Sequence, residues 1–173
     1  MTARSSALRV LTTLAATLTA LFGFGRQFPA QDAAIAQAPA SAFFLQVSPQ
    51  GGGRCVTVPN SASTEGQTLE MQDCNKSPSQ TFTYDQAAMH LSIGGLCVGA
   101  EDGQPGTLVK LRSCESRADQ AWKIERKDSL AKLIGLNGLC FDIRYGSTSA
   151  GALLQVWDCG EAEPNQLWTF SRP

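Results

Sequence analysis

The stretch "GLCFDIRYGSTSAGALLQVWDCGEAEPNQLW", residues 138–168, contains a pattern that occurs three times in the chain. A cysteine is followed by a second cysteine 17 or 19 residues later, and then by glutamine, any residue and an aromatic residue. The cysteine pairs are Cys55 and Cys74, Cys97 and Cys114, and Cys140 and Cys159. The tails are QTF at Gln80, QAW at Gln120 and QLW at Gln166. Three matched cysteine loops with three matched tails indicate a threefold internal repeat.

The first cysteine recurs after 42 and then 43 residues, which defines repeats of about 43 residues at 43–84, 85–127 and 128–173. Each repeat contains short runs of alternating apolar and polar residues and a glycine-rich turn, without sustained helical periodicity. Such a unit cannot bury its apolar face alone, and three units are too few for an ordinary propeller. We therefore predict an all-β fold, a β-trefoil with four strands per repeat around a pseudo-threefold axis.

The aromatic residue of each tail occupies the same position in its repeat. These residues are Phe82, Trp122 and Trp168. We predict that they fill a core shared by the three repeats, because each repeat needs its neighbours to bury its apolar side. The glutamine two residues earlier in each tail is predicted to hold a turn.

Residues 1–40 differ from the rest of the chain. Two arginines precede an apolar run at residues 10–24, and small residues suited to cleavage lie at 34–40. This arrangement is typical of a secretory signal peptide, and the run is short for a bilayer span. We expect a signal peptide and an Ala/Pro/Gln-rich spacer at 1–40, and a secreted or extracytoplasmic domain at 41–173. An uncleaved membrane anchor is the alternative.

All six cysteines lie within residues 41–173. An even number of cysteines in an exported chain favours disulfides over zinc, and the chain has no Cys-x-x-Cys and a single histidine, His90. We predict one disulfide within each repeat, no free thiol, no bound metal and no cofactor. Each bridge closes a loop of about twenty residues and contributes about 3 kcal/mol by the loop-entropy estimate.

Alignment of the repeats on their cysteines separates positions that agree from positions that diverge. Before the second cysteine, the positions predicted to face inward hold Leu69 and Met71, Val109 and Leu111, and Leu154 and Val156. The outward positions between and after them hold Glu70 and Gln72, Lys110 and Arg112, and Gln155 and Trp157. Two residues after the first cysteine stand Thr57, Gly99 and Asp142, and before the tail glutamine stand Ser79, Asp119 and Asn165. Core packing does not require this divergence.

Repeat three alone combines an aspartate, an amide and a tryptophan on one predicted strand face. Strand parity places Asp142, Gln155 and Trp157 together, and a Cys140–Cys159 bridge would hold their two strands side by side. A pyranose presents C–H groups to an aromatic plane and hydroxyls to a carboxylate and to amides, and an ionised aspartate can accept from two hydroxyls. The sequence therefore predicts a carbohydrate site, whose five residues are Asp142, Gln155, Trp157, Asn165 and Gln166. The alternative is a stray surface tryptophan.

Over residues 43–172 the repeated cysteine and Gln-x-aromatic pattern resembles the ricin B-chain type lectins, the R-type carbohydrate-binding β-trefoils. The resemblance implies that Asp142, the glutamine and aromatic of "QVWDC", and the Asn-Gln of "NQLW" line a pocket for galactose or N-acetylgalactosamine. Repeat one departs from that pattern at Thr57 and Gln72, and repeat two departs at Gly99 and Arg112. One intact site, in repeat three, is expected.

Composition and residue types exclude several function classes. Residues 41–173 carry 11 basic and 14 acidic residues, so we expect no nucleic-acid partner. We also expect no membrane insertion of the mature domain. A glycosidase needs two carboxylates about 5 to 10 Å apart, whereas Asp142 is the only carboxylate among the five site residues, so no enzyme is predicted.

The leading hypothesis is an exported lectin module that binds galactose- or N-acetylgalactosamine-containing glycans or polysaccharides. One alternative is a protein-binding β-trefoil, such as a protease inhibitor or the targeting part of a toxin with an unidentified protein subunit. Another is the accessory binding module of a glycan-degrading system.

Overall fold

The computed structural model describes residues 41–173, so the predicted signal peptide and spacer at 1–40 lie outside the described residues. The strands of repeat one are β1 (Phe43–Val47), β2 (Cys55–Thr57), β3 (Glu70–Gln72) and β4 (Thr81–Asp85). Those of repeat two are β5 (His90–Ile93), β6 (Leu96–Gly99), β7 (Lys110–Arg112) and β8 (Lys123–Lys127). Those of repeat three are β9 (Leu130–Ile134), β10 (Cys140–Ile143), β11 (Leu154–Trp157) and β12 (Trp168–Ser171). The predicted four strands per repeat are confirmed.

The helices of residues 41–173 are single 3-10 turns at Pro49–Gly51, Pro59–Ser61, Pro78–Gln80, Ala118–Gln120, Leu136–Gly138, Arg144–Gly146 and Pro164–Gln166. None of the helices in this part of the chain has the length and apolar character needed to cross a membrane. In each repeat one of these turns contains the tail glutamine.

The first and fourth strands of each repeat form a closed antiparallel ring. β1 pairs with β12 and β4, β4 pairs with β5, and β9 pairs with β8 and β12. A bridge between His90 and Ala121 joins β5 to the chain just before β8 and so closes the ring. The second and third strands form one hairpin per repeat, β2–β3, β6–β7 and β10–β11.

Three backbone hydrogen bonds link the hairpins in a cycle. Leu69 N donates to Val109 O (3.3 Å), Val109 N to Leu154 O (3.0 Å) and Leu154 N to Leu69 O (3.1 Å). Because the three residues lie five positions before the second cysteine of their repeats, each repeat donates to the next and the third donates to the first. This cycle gives the predicted pseudo-threefold axis, and the predicted β-trefoil is confirmed.

The tail aromatics lie in the common core, as predicted. Phe82, Trp122 and Trp168 are fully buried. Trp122 and Trp168 each make a T-shaped contact with Phe141, with ring centroids 5.3 and 5.1 Å from it. Each indole N–H donates to a backbone carbonyl, Trp122 Nε1 to Val98 at 2.8 Å and Trp168 Nε1 to Phe141 at 3.1 Å. The aromatic core therefore contains no unsatisfied indole donor.

Each tail glutamine binds the peptide groups on both sides of the second cysteine. In repeat three, Gln166 Nε2 donates to Asp158 O and Gln166 Oε1 accepts from Gly160 N, both at 2.9 Å. The equivalent bonds run from Gln80 Nε2 to Asp73 O, Asn75 N to Gln80 Oε1, Gln120 Nε2 to Ser113 O, and Glu115 N to Gln120 Oε1. We call this contact the glutamine clamp. It confirms that the glutamines hold turns.

The disulfides join Cys55 to Cys74, Cys97 to Cys114 and Cys140 to Cys159, one in each repeat as predicted. No free cysteine remains within residues 41–173. A ring nitrogen of His90 lies within 4.8 Å of the sulfurs of Cys97 and Cys114. Since both sulfurs belong to a disulfide, this group offers no thiolate to a metal ion.

Trp122→Ala should lower the free energy of unfolding by about 3 to 5 kcal/mol, because it removes a fully buried aromatic and leaves a cavity beside Phe141. Urea unfolding followed by far-UV circular dichroism measures the loss. The control is Met89→Ala, whose side chain is 42% exposed and whose removal should change stability by about 0.5 kcal/mol or less. A Trp122→Ala protein that loses less than about 1 kcal/mol would contradict the assignment of this residue to the core.

Candidate functional site

All five residues predicted from sequence lie around one cleft of about 640 Å³ on repeat three. The cleft is lined by Gly106, Asp142, Arg144, Tyr145, Gly146, Gln155, Trp157, Asp158, Cys159, Gly160, Glu163, Asn165 and Gln166. Hairpin β10–β11 supplies the floor and one wall. The turn Arg144–Gly146 and the segment 158–166 supply the remaining sides.

The strand register explains how the sequence brings the floor together. Asp142 is paired with Gln155 across β10 and β11, and Cys140 is paired with Trp157. The disulfide from Cys140 to Cys159 fixes the two strands side by side, with 5.1 Å between the Cα atoms. Residues two apart on a strand share a face, so the aspartate, the glutamine and the tryptophan point the same way.

The face that strand parity predicts to point outward is only partly open to water. Trp157 is 46% exposed, but Asp142 is 2% exposed and Gln155 is 5% exposed. The physical reason is the tail segment, which folds back over β10 and places Asn165 and Gln166 against the aspartate. The two-residue period of a strand shows which residues share a face. Whether that face is buried depends on which later segment packs against it.

Three neutral amides hold the Asp142 carboxylate. Gln155 Nε2 donates to Oδ1 at 2.8 Å, while Asn165 Nδ2 and Gln166 Nε2 donate to Oδ2 at 2.5 and 3.1 Å. Burial raises the pKa of Asp142 above its ordinary value, and the three amide hydrogen bonds oppose that rise without cancelling it. The negative charge of Glu163 adds to the rise of this pKa.

The Asp142 carboxylate has fewer open acceptor positions than the sequence suggested. A carboxylate has about four acceptor positions, and three of them receive amide hydrogens here. The remaining capacity is on Oδ1, which has a single donor. Asp142 can therefore accept one further hydrogen bond in this geometry, rather than the two expected.

The two glutamines of the floor differ in what they can still offer. Gln166 is fully buried, and its two amide hydrogens and its oxygen all have partners. Gln155 Nε2 is bonded to Asp142, whereas Gln155 Oε1 has no hydrogen-bond partner among residues 41–173. Gln166 therefore orients the aspartate, and Gln155 retains a free acceptor.

Repeat two contributes to the wall beside Trp157, which the sequence alone did not reveal. Gly106 N donates to Val156 O at 2.7 Å, a further bond that joins repeat two to repeat three. A Cβ at Gly106 would lie 3.5 Å from Cζ3 of the indole, so a larger residue would fill space beside the ring. Gly106 also has a φ of 91°, which glycine adopts without strain.

Tyr145 and Arg144 also line the cleft and were not predicted. Tyr145 follows the first cysteine of its repeat by five positions, as Asn60 and Asp102 do in theirs. Comparison of the repeats could have identified Tyr145, because the other two repeats have small polar residues at this position. The turn conformation that brings Tyr145 to the cleft could not be read from sequence.

The corresponding pocket of repeat one has no aromatic ring and no carboxylate at the position of Asp142, although Glu70 and Asp73 line it. Thr57 stands in the position of Asp142, and its Oγ1 accepts from Gln80 Nε2 at 2.9 Å. Gln72 stands in the position of Trp157 and donates to Glu70. The threonine thus takes the same glutamine hydrogen that Asp142 takes in repeat three.

In repeat two a carboxylate from another position lies beside Gly99. Asp119 replaces Asn165, and a Cβ at Gly99 would lie 3.4 Å from its Oδ2. Arg117 Nε donates to Asp119 Oδ1 at 2.9 Å, and Oδ2 is buried without a partner. Arg112, in the position of Trp157, forms an ion pair with Glu101. Repeat two therefore has no carboxylate at the position of Asp142 and no ring, and the Asp119 carboxylate is paired with an arginine.

The curated relatives match short segments of the chain. Beta-galactoside-specific lectin 2 of Viscum album is 40% identical over 42 residues, 24% of this chain and 7% of the relative. Ribosome-inactivating protein PMRIPt of Polygonatum multiflorum is 49% identical over 39 residues, 22% of this chain and 6% of the relative. The matched segments thus span less than a tenth of the length of these relatives.

Solved structures share the fold at low sequence identity. The designed protein ThreeFoil has a TM-score of 0.69 at 19% identity, covering 76% of this chain and 99% of its own. The C-half of the earthworm R-type lectin in complex with GalNAc has a TM-score of 0.64 at 16% identity, covering 77% and 99%. An exo-β-1,3-galactanase from Clostridium thermocellum has a TM-score of 0.69 at 20% identity, covering 77% of this chain and 30% of the enzyme.

One family describes nearly the whole of the folded repeats. The sequence model of the ricin-type beta-trefoil lectin domain matches residues 43–168, from β1 to the tail aromatic of repeat three. That match, the three disulfide-linked repeats and the glutamine clamps agree on one assignment. The chain belongs to the ricin-type β-trefoil lectin domain family.

Proposed function

We propose that repeat three binds the ring of a galactose- or N-acetylgalactosamine-type sugar and that the chain is a carbohydrate-binding module without catalytic activity. The observation that carries this proposal is a buried carboxylate held by three neutral amides beside a half-exposed tryptophan. The names of similar proteins support the choice of sugar. One relative is a beta-galactoside-specific lectin, and two solved neighbours are lectins in complex with GalNAc and with lactose.

Each site residue has a part that follows from its contacts. The indole of Trp157 offers a flat apolar surface to the C–H face of the sugar. Asp142 Oδ1 accepts from a sugar hydroxyl, which gives a charge-assisted hydrogen bond. Gln155 Oε1 accepts from a second hydroxyl, and the Asn165 amide can turn a hydrogen toward the ligand. Gln166 keeps the carboxylate in place and needs no contact with the sugar.

Binding is favoured over hydrolysis, although the cleft contains more than one carboxylate. Asp158 and Glu163 line it together with Asp142, so the sequence argument from a single carboxylate does not hold. Both additional groups are exposed at the rim, and Asp142 is engaged by three amides. Incubation with an aryl galactoside distinguishes the two classes. We expect no release of the aryl alcohol, whereas release that Asp142→Ala abolishes would indicate a glycosidase.

We also propose that the domain acts outside the cytoplasm. The basic and apolar segments of residues 1–40 support this proposal, as does the presence of three disulfides in a domain of this size.

Trp157→Ala should abolish measurable lactose binding while leaving the melting temperature nearly unchanged. The indole supplies the apolar wall of the site but is 46% exposed, and the other two repeats fold with Gln72 and Arg112 in its place. Calorimetric titration with lactose and a thermal melt measure the two effects. Trp157→Phe is the matched control, since it retains a smaller aromatic surface and should retain weakened binding. Unchanged lactose affinity in the alanine variant would refute the site assignment.

Lactose affinity should fall as the pH is lowered through the raised pKa of Asp142, beginning above the usual range near pH 4. Only the ionised group gives the charge-assisted bond to a hydroxyl. Because this pKa is higher in the folded than in the unfolded state, protonation of Asp142 favours folding, and stability from this group falls as pH rises through that interval. Binding should therefore be lost before the fold. Titrations from pH 3.5 to 7, with near-UV circular dichroism at each pH, test the order.

Asn165→Ala provides a second test of the pH dependence of lactose binding. It removes a donor that lowers the pKa of Asp142, so the midpoint for loss of binding should move to higher pH. Lactose affinity that stays constant down to pH 3.5 would contradict the role of the carboxylate.

The domain should bind one lactose per chain and should not agglutinate red cells as a monomer, because repeats one and two lack the aromatic wall. A single shallow site is worth about 4 to 5 kcal/mol, which corresponds to near-millimolar affinity. Avidity gains of about 10² to 10⁴ need a second linked site. Calorimetry and an agglutination assay on protein shown to be monomeric measure both properties. A stoichiometry of two or three would contradict the assignment of a single site.

A further inference from the structure

Tyr145 is the most exposed large hydrophobic side chain among residues 41–173. It is 86% exposed, compared with 46% for Trp157 and 42% for Met89. Tyr145 and Trp157 line the same cleft, one from the turn after β10 and the other from the end of β11. Two of the three exposed large hydrophobic residues of the described chain therefore border one site, which points to a shared ligand.

The backbone at Tyr145 does not favour a tyrosine. Its φ of 60° and ψ of 17° are left-handed, a conformation that is unfavourable by about 1 to 2 kcal/mol for a residue with a bulky side chain. Asn60, at the same position of repeat one, has a φ of 58° and a ψ of 15°. Asparagine tolerates this conformation better than other non-glycine residues. Repeat three thus places an aromatic ring where its sibling has a residue suited to the turn.

Packing does not compensate for this strain. The aromatic contact of the Tyr145 ring is with the Arg144 guanidinium, whose carbon lies 4.9 Å from the ring centroid. Such an exposed cation–π contact is worth about 0.5 to 1 kcal/mol and fixes the ring rather than burying it. Strained residues of this kind occur at ligand sites, where the side chain is needed in one position.

The size of the cleft indicates what the ring could contact. At about 640 Å³ it falls in the middle of the range for sites that enclose ligands of drug size. A disaccharide, with about two dozen non-hydrogen atoms, is of that size, whereas a single pyranose has about half as many. One sugar ring is enough to occupy the hydrogen-bonding groups of the floor formed by Asp142 and Gln155. Space remains toward the rim, where Tyr145 lies.

We propose that Tyr145 is a second aromatic platform, which stacks on the sugar ring next to the galactose held by Trp157 and Asp142. This inference rests on the proposed function, because it requires a galactose-type ring in the first position. The substrate class that it selects is a galactose-terminated di- or oligosaccharide over free galactose. Tyr145 is therefore a specificity-determining residue outside the five predicted from sequence.

The test compares galactose with lactose on two variants of the full domain. Tyr145→Asn restores the residue type found at Asn60, so it removes the ring and also relieves the backbone strain. Tyr145→Phe keeps the ring and removes only the hydroxyl. Calorimetric or NMR titration gives the ratio of lactose to galactose affinity for each protein, and thermal melts give their stability.

The wild-type protein should bind lactose about two- to tenfold more tightly than galactose, from the magnitude of one aromatic contact. Tyr145→Asn should lower the lactose affinity to that of galactose, leave galactose affinity unchanged and raise the melting temperature. Tyr145→Phe should retain the lactose preference.

The outcomes separate this inference from the proposed function. Equal affinity of the wild type for galactose and lactose, or a lactose preference that persists in Tyr145→Asn, would overturn the second platform while leaving the galactose site intact. A lower melting temperature for Tyr145→Asn would show that the ring supports the fold and would overturn the argument from strain. Binding of neither sugar by the wild type would overturn both the platform and the proposed function.

Discussion

The glutamine clamp is the contact on which both the fold and the site of this domain depend. In every repeat one buried side-chain amide forms hydrogen bonds with the peptide groups on both sides of the second cysteine and so holds that segment against the hairpin. The clamp leaves one amide hydrogen free. Gln80 gives it to Thr57 and Gln166 gives it to Asp142, whereas Gly99 has no side chain to receive it. Each repeat therefore presents the same amide hydrogen. The residue at the position of Asp142 determines whether and how that hydrogen is accepted.

Asp142 and Asp119 show two ways to keep a carboxylate in such a pocket. Asp119 is bonded to Arg117, which compensates its charge and leaves one oxygen unsatisfied. Asp142 is held by three amides, which stabilise the ionised form, and no cation is hydrogen-bonded to it among residues 41–173. Its charge is therefore still available to a ligand hydroxyl. The difference involves two positions: repeat two has Gly99 where repeat three has Asp142, and Asp119 where repeat three has Asn165.

Most of the fold could be predicted because the same sequence pattern occurs in all three repeats. The spacing of Cys140, Cys159 and Gln166, matched twice elsewhere, was enough for the repeat, the disulfides and the buried aromatics. Strand parity placed Asp142 beside Trp157 because a two-residue period leaves no freedom once the register is known. The same reasoning could not give the burial of Asp142, which depends on the tail segment. It also missed Gly106 and Tyr145, since one reaches the site through pairing between repeats and the other through a left-handed turn.

We propose that a galactoside binds at Trp157 of repeat three and at no equivalent position. The chain has three tryptophans, so a ¹H–¹⁵N correlation spectrum has three indole N–H signals. Those of Trp122 and Trp168 are bonded to core carbonyls, and that of Trp157 lies at the cleft. On titration with lactose to well above millimolar concentration, the Trp157 signal should move along a single saturating curve while the other two stay in place. A Trp157 signal that does not move, or saturating shifts centred on repeat one or two, would rule out a single site at Trp157.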